Sequence, residues 1–200
     1  MVTVIDYKAG NLTSVVKALR FLGVEVRVTT GADALGCAKR IVLPGVGNFA
    51  TTARLEQSGI KREVQRAIAR GVPFLGICVG MQWLYAGSTE APDQPGLGYF
   101  SEQVTRFPAG GEKVPHVGWN QLQQLRLVPL MRGIGEGEYA YFTHAWRGPV
   151  NASTVATTEY VGPFAAACQQ GNVCGVQFHP EKSGAMGLRI LRNFLEMQRC

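Results

Sequence analysis

Residues 72–84 read VPFLGICVGMQWL. From Val72 to Ile77 no side chain carries a charge or a hydrogen-bonding group. A strand with one wet face would alternate apolar and polar positions, so this run fits a strand covered on both sides, as in the middle of a parallel sheet. A helix-like segment comes next. At the junction, Gly76-Ile77-Cys78-Val79-Gly80 sets a single thiol between two glycines.

Upstream the same logic repeats. Residues 2–6 (VTVID) predict a strand, and Asn11 offers an N-cap. Leu12, Val15, Val16, Leu19 and Leu22 then recur at helical spacing until Gly23. Residues 24–28 and 40–43 predict two more strands, the second running into Pro44-Gly45-Val46-Gly47. Leu55, Ile60, Val64 and Ile68 predict one helix ending at Gly71. Strand and helix therefore alternate, which predicts βαβ units and a doubly wound sheet.

Downstream, from about residue 97 to 176, short strands are separated by Gly, Pro and polar turns, as in FAAACQQGNVCGVQF. These predict antiparallel strands and hairpins, with QQGN as one turn. A last helix is expected from Ser183, burying Met186, Ile190, Leu191, Phe194 and Leu195. With no linker and no repeat, residues 1–200 are expected to form one α/β domain. Its fold class is a doubly wound mixed sheet, parallel in the first half with antiparallel strands in the second, flanked by helices.

A chain of 200 residues is long enough for one domain with a real core. No apolar stretch approaches the ~20 residues of a membrane span. The first residues open a strand without a basic leader region, so a cytoplasmic location and no membrane association are expected. Cys37, Cys78, Cys168, Cys174 and Cys200 form no CxxC pair and no metal-like spacing with the three histidines. Free thiols are expected, with no metal and no cofactor. The net charge of +6 is scattered, and its densest stretch, KREVQRAIAR, spaces charges around an amphipathic helix. That pattern argues for a solvated face and against a nucleic-acid surface.

The thiol has two readings. A cysteine at the end of a buried strand is commonly core packing. A sharp strand-to-helix turn with small flanking residues is also how some hydrolases expose a nucleophile, and amides at a helix start favour a thiolate. A nucleophile needs a base, and the base an orienting partner. His179 stands in GVQFHPEKS directly after an apolar run, with Glu181 two residues on. If the chain stays extended through Pro180, both face one side. His116 (VPHVGWN) and His144 (YFTHAW) have no carboxylate at short spacing; His144 reads as a core histidine.

Taken together, GICVGMQ and GVQFHPEKS resemble the class I glutamine amidotransferases, whose triad is Cys, His and Glu in this chain order. More narrowly, DYKAGNL (6–12), LPGVGNF (43–49), PHVGWN (115–120) and YFTHAW (141–146) resemble the branch that supplies glutaminase subunits of imidazole glycerol phosphate synthases. The likeness runs along essentially the whole chain. It departs at Lys8, usually Gly, at Val79, more often Leu, and at Ala145-Trp146, where Ser or Thr precedes Tyr.

The resemblance implies hydrolysis of L-glutamine through a thioester on Cys78, with His179 as proton shuttle and Glu181 as its orienting partner. It implies oxyanion donors at Val46, Gly47 and Val79. It implies substrate contacts at Gly45, Gln82, Glu90, Ala145 and Trp146. Asn11, Trp119 and Lys182 match positions facing a (βα)8-barrel cyclase subunit, to which the ammonia passes through a tunnel in a heterodimer. The competing readings are a class I glutaminase of another pathway, such as pyridoxal phosphate synthesis, and a basic nucleic-acid-binding module.

Overall fold

Strand and helix alternate through the first half of the computed structural model, which describes residues 1–9 and 11–198. β1 (Val2–Ile5) leads through α1 (Leu12–Phe21) to β2 (Val26–Thr29). Next along the chain are β3 (Ile41–Gly45), α2 (Ala53–Gln57), α3 (Ile60–Ala69), β4 (Phe74–Cys78) and the single turn α4 (Val79–Gln82). The second half is richer in strands: β5 (Gly87–Ser88), β6 (Gln103–Arg106), β7 (His116–Gln121), β8 (Tyr139–His144) and β9 (Trp146–Arg147). Then come β10 (Thr154–Glu159), β11 (Pro163–Gln170), β12 (Val173–Val176) and α5 (Gly184–Glu196).

The main sheet has seven strands in the order β10-β11-β12-β4-β3-β1-β2. From β12 to β2 every pairing is parallel, and β10 and β11 are antiparallel at one edge. The expected mixed α/β sheet is therefore observed, with β4 in its middle. The downstream strands divide more finely than expected. β10, β11 and β12 join the main sheet, and β12 runs parallel to β4. β7 and β8 pair as a separate ribbon, and β5, β6 and β9 form a small sheet.

Two apolar layers explain the run at residues 72–77. Leu75 and Ile77 of β4 pack with Val15, Val16 and Leu19 of α1 and with Ile190, Leu191 and Phe194 of α5. Phe74 faces the other way, into a layer with Leu55 of α2 and Val64 and Ala67 of α3. Both faces of the strand are dry, and full burial of each such side chain contributes about 1.5–3 kcal/mol. The single helix expected through residues 55–71 is two, because Gly59 takes φ +73 between α2 and α3. That left-handed residue ends one helix and starts the next at a new angle.

Strand register decides which segments meet at the end of β4. Gly45 pairs with Cys78, and Val176 pairs with Ile77. The chain leaving β12 therefore passes beside the carboxyl end of β4, where open α/β sheets bind ligands. Among the described residues, no helix is long and apolar enough to cross a membrane.

Candidate active site

The bend at Cys78 is built by its neighbours. Cys78 itself has φ 54 and ψ −111, a left-handed conformation that a side chain tolerates only at a cost of roughly 1–3 kcal/mol. The next turn doubles back so tightly that a Cβ on Gly76 would lie 2.3 Å from the Gly80 carbonyl oxygen. A Cβ on Gly80 would lie 1.9 Å from the Leu43 carbonyl oxygen. Both glycines are thus steric requirements of the turn. The helix expected after the thiol is one turn only, Val79–Gln82, so its dipole near the sulfur is small.

The segment leaving β12 carries His179 and Glu181, expected as base and orienting partner. His179 is 1% exposed and its Nδ1 lies 2.7 Å from Glu181 Oε1. The route differs from the extended segment expected: Pro180–Lys182 is a 3-10 turn, which folds Glu181 back under the ring. Asn11 Nδ2 also donates to Glu181 Oε1, and sits 3.4 Å from His179 Nδ1. Asn11 occupies the N-cap position of α1 but its side chain makes no capping bond: its backbone is left-handed, at φ 54, where a capping residue is extended.

Burial disfavours the charged imidazole. Hydrogen bonding to Cys78 and to Glu181, with the charge of both, outweighs that penalty and lifts the His179 pKa to about 9. Nε2 makes no hydrogen bond of full geometry. Unliganded catalytic pairs commonly tighten only around a substrate. The second carboxylate oxygen, Glu181 Oε2, is buried without a partner.

Cys78 is 3% exposed, and what it exposes is the floor of a cavity of ≈ 260 Å³. Gly47, Val79, Gln82, Glu90, Ala145 and Trp146 line that cavity, as do Thr143 and His144. The Glu90 oxygens accept from Phe49 N at 2.8 Å and Asn48 Nδ2 at 3.1 Å. Partial burial raises the Glu90 pKa, and the Phe49 bond opposes the rise.

Gly45 and Val46 are not among the lining residues. Gly45 is a packing glycine instead: a Cβ there would lie 2.2 Å from the Tyr7 hydroxyl. Val46 N–H donates to the Ala9 carbonyl at 3.1 Å and is not free for a ligand. Val79 begins α4, where an N–H has no intrahelical acceptor. Lys8 holds φ +64, a region that favours the glycine usual there, and bonds Asp6 with both its amide and its ammonium.

Of the three residues expected at a partner interface, two converge. Trp119 is 55% exposed and meets Tyr141 edge-on at 5.9 Å, and Lys182 Nζ lies 5.7 Å from the same ring. Trp119 also lines a surface hollow of ≈ 960 Å³ with His116, Asn120 and Tyr160. Asn11 points inward to Glu181.

Sequence reasoning missed Gln177, whose Nε2 donates to Cys78 Sγ at 3.7 Å. Gln82 Nε2 reaches Gln177 Oε1 at 3.2 Å and the Trp146 carbonyl at 2.9 Å. The available signal was a lone amide in the apolar run VCGVQF, fully buried in the fold. Cys168 and Cys174 are buried and Cys37 is exposed, and Cys200 lies outside the described residues.

The family model described as Glutamine amidotransferase class-I matches residues 3–197. The chain is 47% identical over 197 residues to imidazole glycerol phosphate synthase subunit HisH of Deinococcus radiodurans, covering 96% of this chain and 92% of that one. It is 42% identical over 203 residues to the HisH subunit of Caldanaerobacter subterraneus, covering all of both chains. A crystal structure of a glutamine amidotransferase superposes with a TM-score of 0.78 at 24% identity, over 98% of each chain, a likeness of fold.

Proposed function

The chain belongs to the class I glutamine amidotransferases, and within that family we propose that it is the glutaminase subunit of an imidazole glycerol phosphate synthase, releasing ammonia for histidine biosynthesis. The observation that carries the reading is the meeting of Cys78 with the His179–Glu181 pair. They sit at the carboxyl ends of neighbouring parallel strands, about one hundred residues apart in sequence.

Cys78 Sγ, ionised beside the imidazolium, attacks the side-chain amide carbon of glutamine. The carbonyl oxygen gains the negative charge, and backbone amides at Val79, Gly47 and a reoriented Val46 stabilise it; one such donor contributes about 3–4 kcal/mol. His179 Nε2–H passes its proton to the departing nitrogen, and ammonia leaves a thioester on Cys78. His179, now neutral at Nε2, takes a proton from water, whose hydroxyl attacks the thioester carbon. Glutamate departs and the thiolate–imidazolium pair returns. Glu181 keeps the Nδ1–H tautomer in place throughout.

Glutamine is held by its own charged end. The Glu90 carboxylate takes the ammonium group, and backbone N–H groups of Ala145 and Trp146 take the α-carboxylate. Gln82 borders the substrate between them. Ammonia in water would be protonated and lost as a nucleophile. A partner cyclase barrel docked over Trp119 and Lys182 would receive it directly.

Intact-mass measurement after treatment with a glutamine-mimicking electrophile tests the site. One adduct at Cys78, abolished in His179→Ala, is expected; labelling at Cys37 or Cys168 instead would overturn the assignment. Copurification with the cyclase barrel, rather than with a pyridoxal phosphate synthase, tests the pathway.

A further inference from the structure

Two buried histidines outside the triad are tied to the cavity by a directional run of hydrogen bonds. The β7–β8 ribbon sets His116 directly opposite His144. Asn120 Nδ2 lies 3.4 Å from His116 Nε2, and His116 Nδ1 lies 3.4 Å from His144 Nε2. His144 Nδ1 is 2.9 Å from the Trp146 carbonyl, which also accepts from Gln82 Nε2 at 2.9 Å.

Every proton in this run is determined. The Asn120 amide cannot flip, because its oxygen accepts from Gln121 N at 2.8 Å and its nitrogen donates to the Glu159 carbonyl at 3.0 Å. Asn120 therefore donates to His116 Nε2. A carbonyl only accepts, so His144 carries its proton on Nδ1. His144 Nε2 is then an acceptor, and His116 must donate from Nδ1. Burial holds both rings neutral, pushing His116 down to about 4 and His144 to about 3. The aromatic surroundings agree, with Tyr160 stacked on His116 at 4.0 Å and Phe164 5.1 Å from His144.

We infer that His116 and His144 are positioning residues for glutamine binding: the run from Asn120 through both rings fixes the Trp146 carbonyl, against which Gln82 is oriented. With both of its acceptor directions engaged, that carbonyl anchors the 146–147 peptide, directly after the two residues, Ala145 and Trp146, that line the cavity. Gln82 in turn hands its second N–H to Gln177, and Gln177 donates to Cys78. This inference rests on the glutaminase reading; His116 and His144 themselves touch no reacting atom.

Nitrogen-15 spectra of the full chain test the arrangement without any turnover. Both residues are expected as neutral Nδ1–H tautomers from about pH 6 to 8, the range in which an ordinary histidine titrates. An Nε2–H tautomer at either residue, or titration in that range, overturns the proposal. The kinetic arm uses the complex with the cyclase subunit. His144→Phe keeps the ring volume without the donor, and loss of one such bond is expected to raise KM for glutamine about tenfold with kcat changed less than about threefold. His144→Asn keeps a donor near Nδ1 and is expected to recover most of that loss. Equal defects in the two variants, or none in His144→Phe, overturn the positioning role. A wild-type complex that hydrolyses no glutamine would overturn the glutaminase reading, while the spectra still decide the tautomers.

Discussion

Val46 N–H donates to the Ala9 carbonyl at 3.1 Å, and Val46 does not line the cavity over Cys78. In the oxyanion hole proposed above, this orientation withholds one donor. Glutaminase turnover of the isolated chain is expected to lie about 10²–10³-fold below that of the activated complex, the usual deficit for one missing oxyanion donor. A structure of the thioester state should show the 45–46 peptide turned, with Val46 N–H on the substrate oxygen. Equal turnover with and without the partner, or a fixed peptide in that state, would refute this.

His179 and Cys78 are coupled electrostatically. After the burial penalty, the bond to Cys78 leads the interactions that raise His179 to about 9. Cys78→Ser removes that partner, so His179 should titrate below its wild-type value by nitrogen-15 detection. The folded pKa lies above the ordinary 6.5, so folding takes up a proton between those values. The stabilisation is fully present below about pH 6.5 and is lost as pH rises through 9, amounting to at most about 3 kcal/mol. Urea titrations of wild type and His179→Asn should converge across that window. An advantage that grew with pH would contradict the assignment.

Gly80 shows how little room the bend has. Its missing Cβ would meet backbone, the Leu43 carbonyl oxygen at 1.9 Å, and no flexible side chain can yield. Gly80→Ala should destabilise the chain by about 1–3 kcal/mol, as overpacking does, and displace Cys78 from His179. Gly98→Ala is the contrasting control: it has φ +71 but nothing within 4 Å, so any cost there is backbone strain alone. Denaturation midpoints distinguish the two, and labelling of Cys78 should slow only in the Gly80 variant.

The features that were legible in the sequence are those that local physics repeats. A strand with two dry faces has no polar alternation, which marked residues 72–77. A thiol between glycines and an imidazole two residues before a carboxylate are chemical patterns. Features set by contacts between distant segments, or by single torsions, were not legible. Gly59 is invisible to a period count because Leu55 and Ile60 continue the apolar stripe across it. Pro180 restricts His179 to extended angles but does not constrain Glu181, so the 3-10 turn was missed. The direction of the Val46 amide leaves no trace in residue identity. Gln177 acquires meaning only beside a sulfur 99 positions away.

Asn11 also takes its role from a distant segment. Its cap-like place at the start of α1 suggested a local role, yet its amide bonds a carboxylate 170 residues on. The left-handed φ of 54 explains why Asn suits the position, since short amides visit that region more readily than other side chains. Two substitutions separate backbone from side chain. Asn11→Gly removes the donor without backbone strain, so stability should fall little while kcat drops about tenfold, the effect of one hydrogen bond to a charged group. Asn11→Ala adds the left-handed penalty and should cost a further ~1 kcal/mol of stability at similar kcat. Activity equal to wild type in Asn11→Gly would mean that Glu181 holds His179 without help.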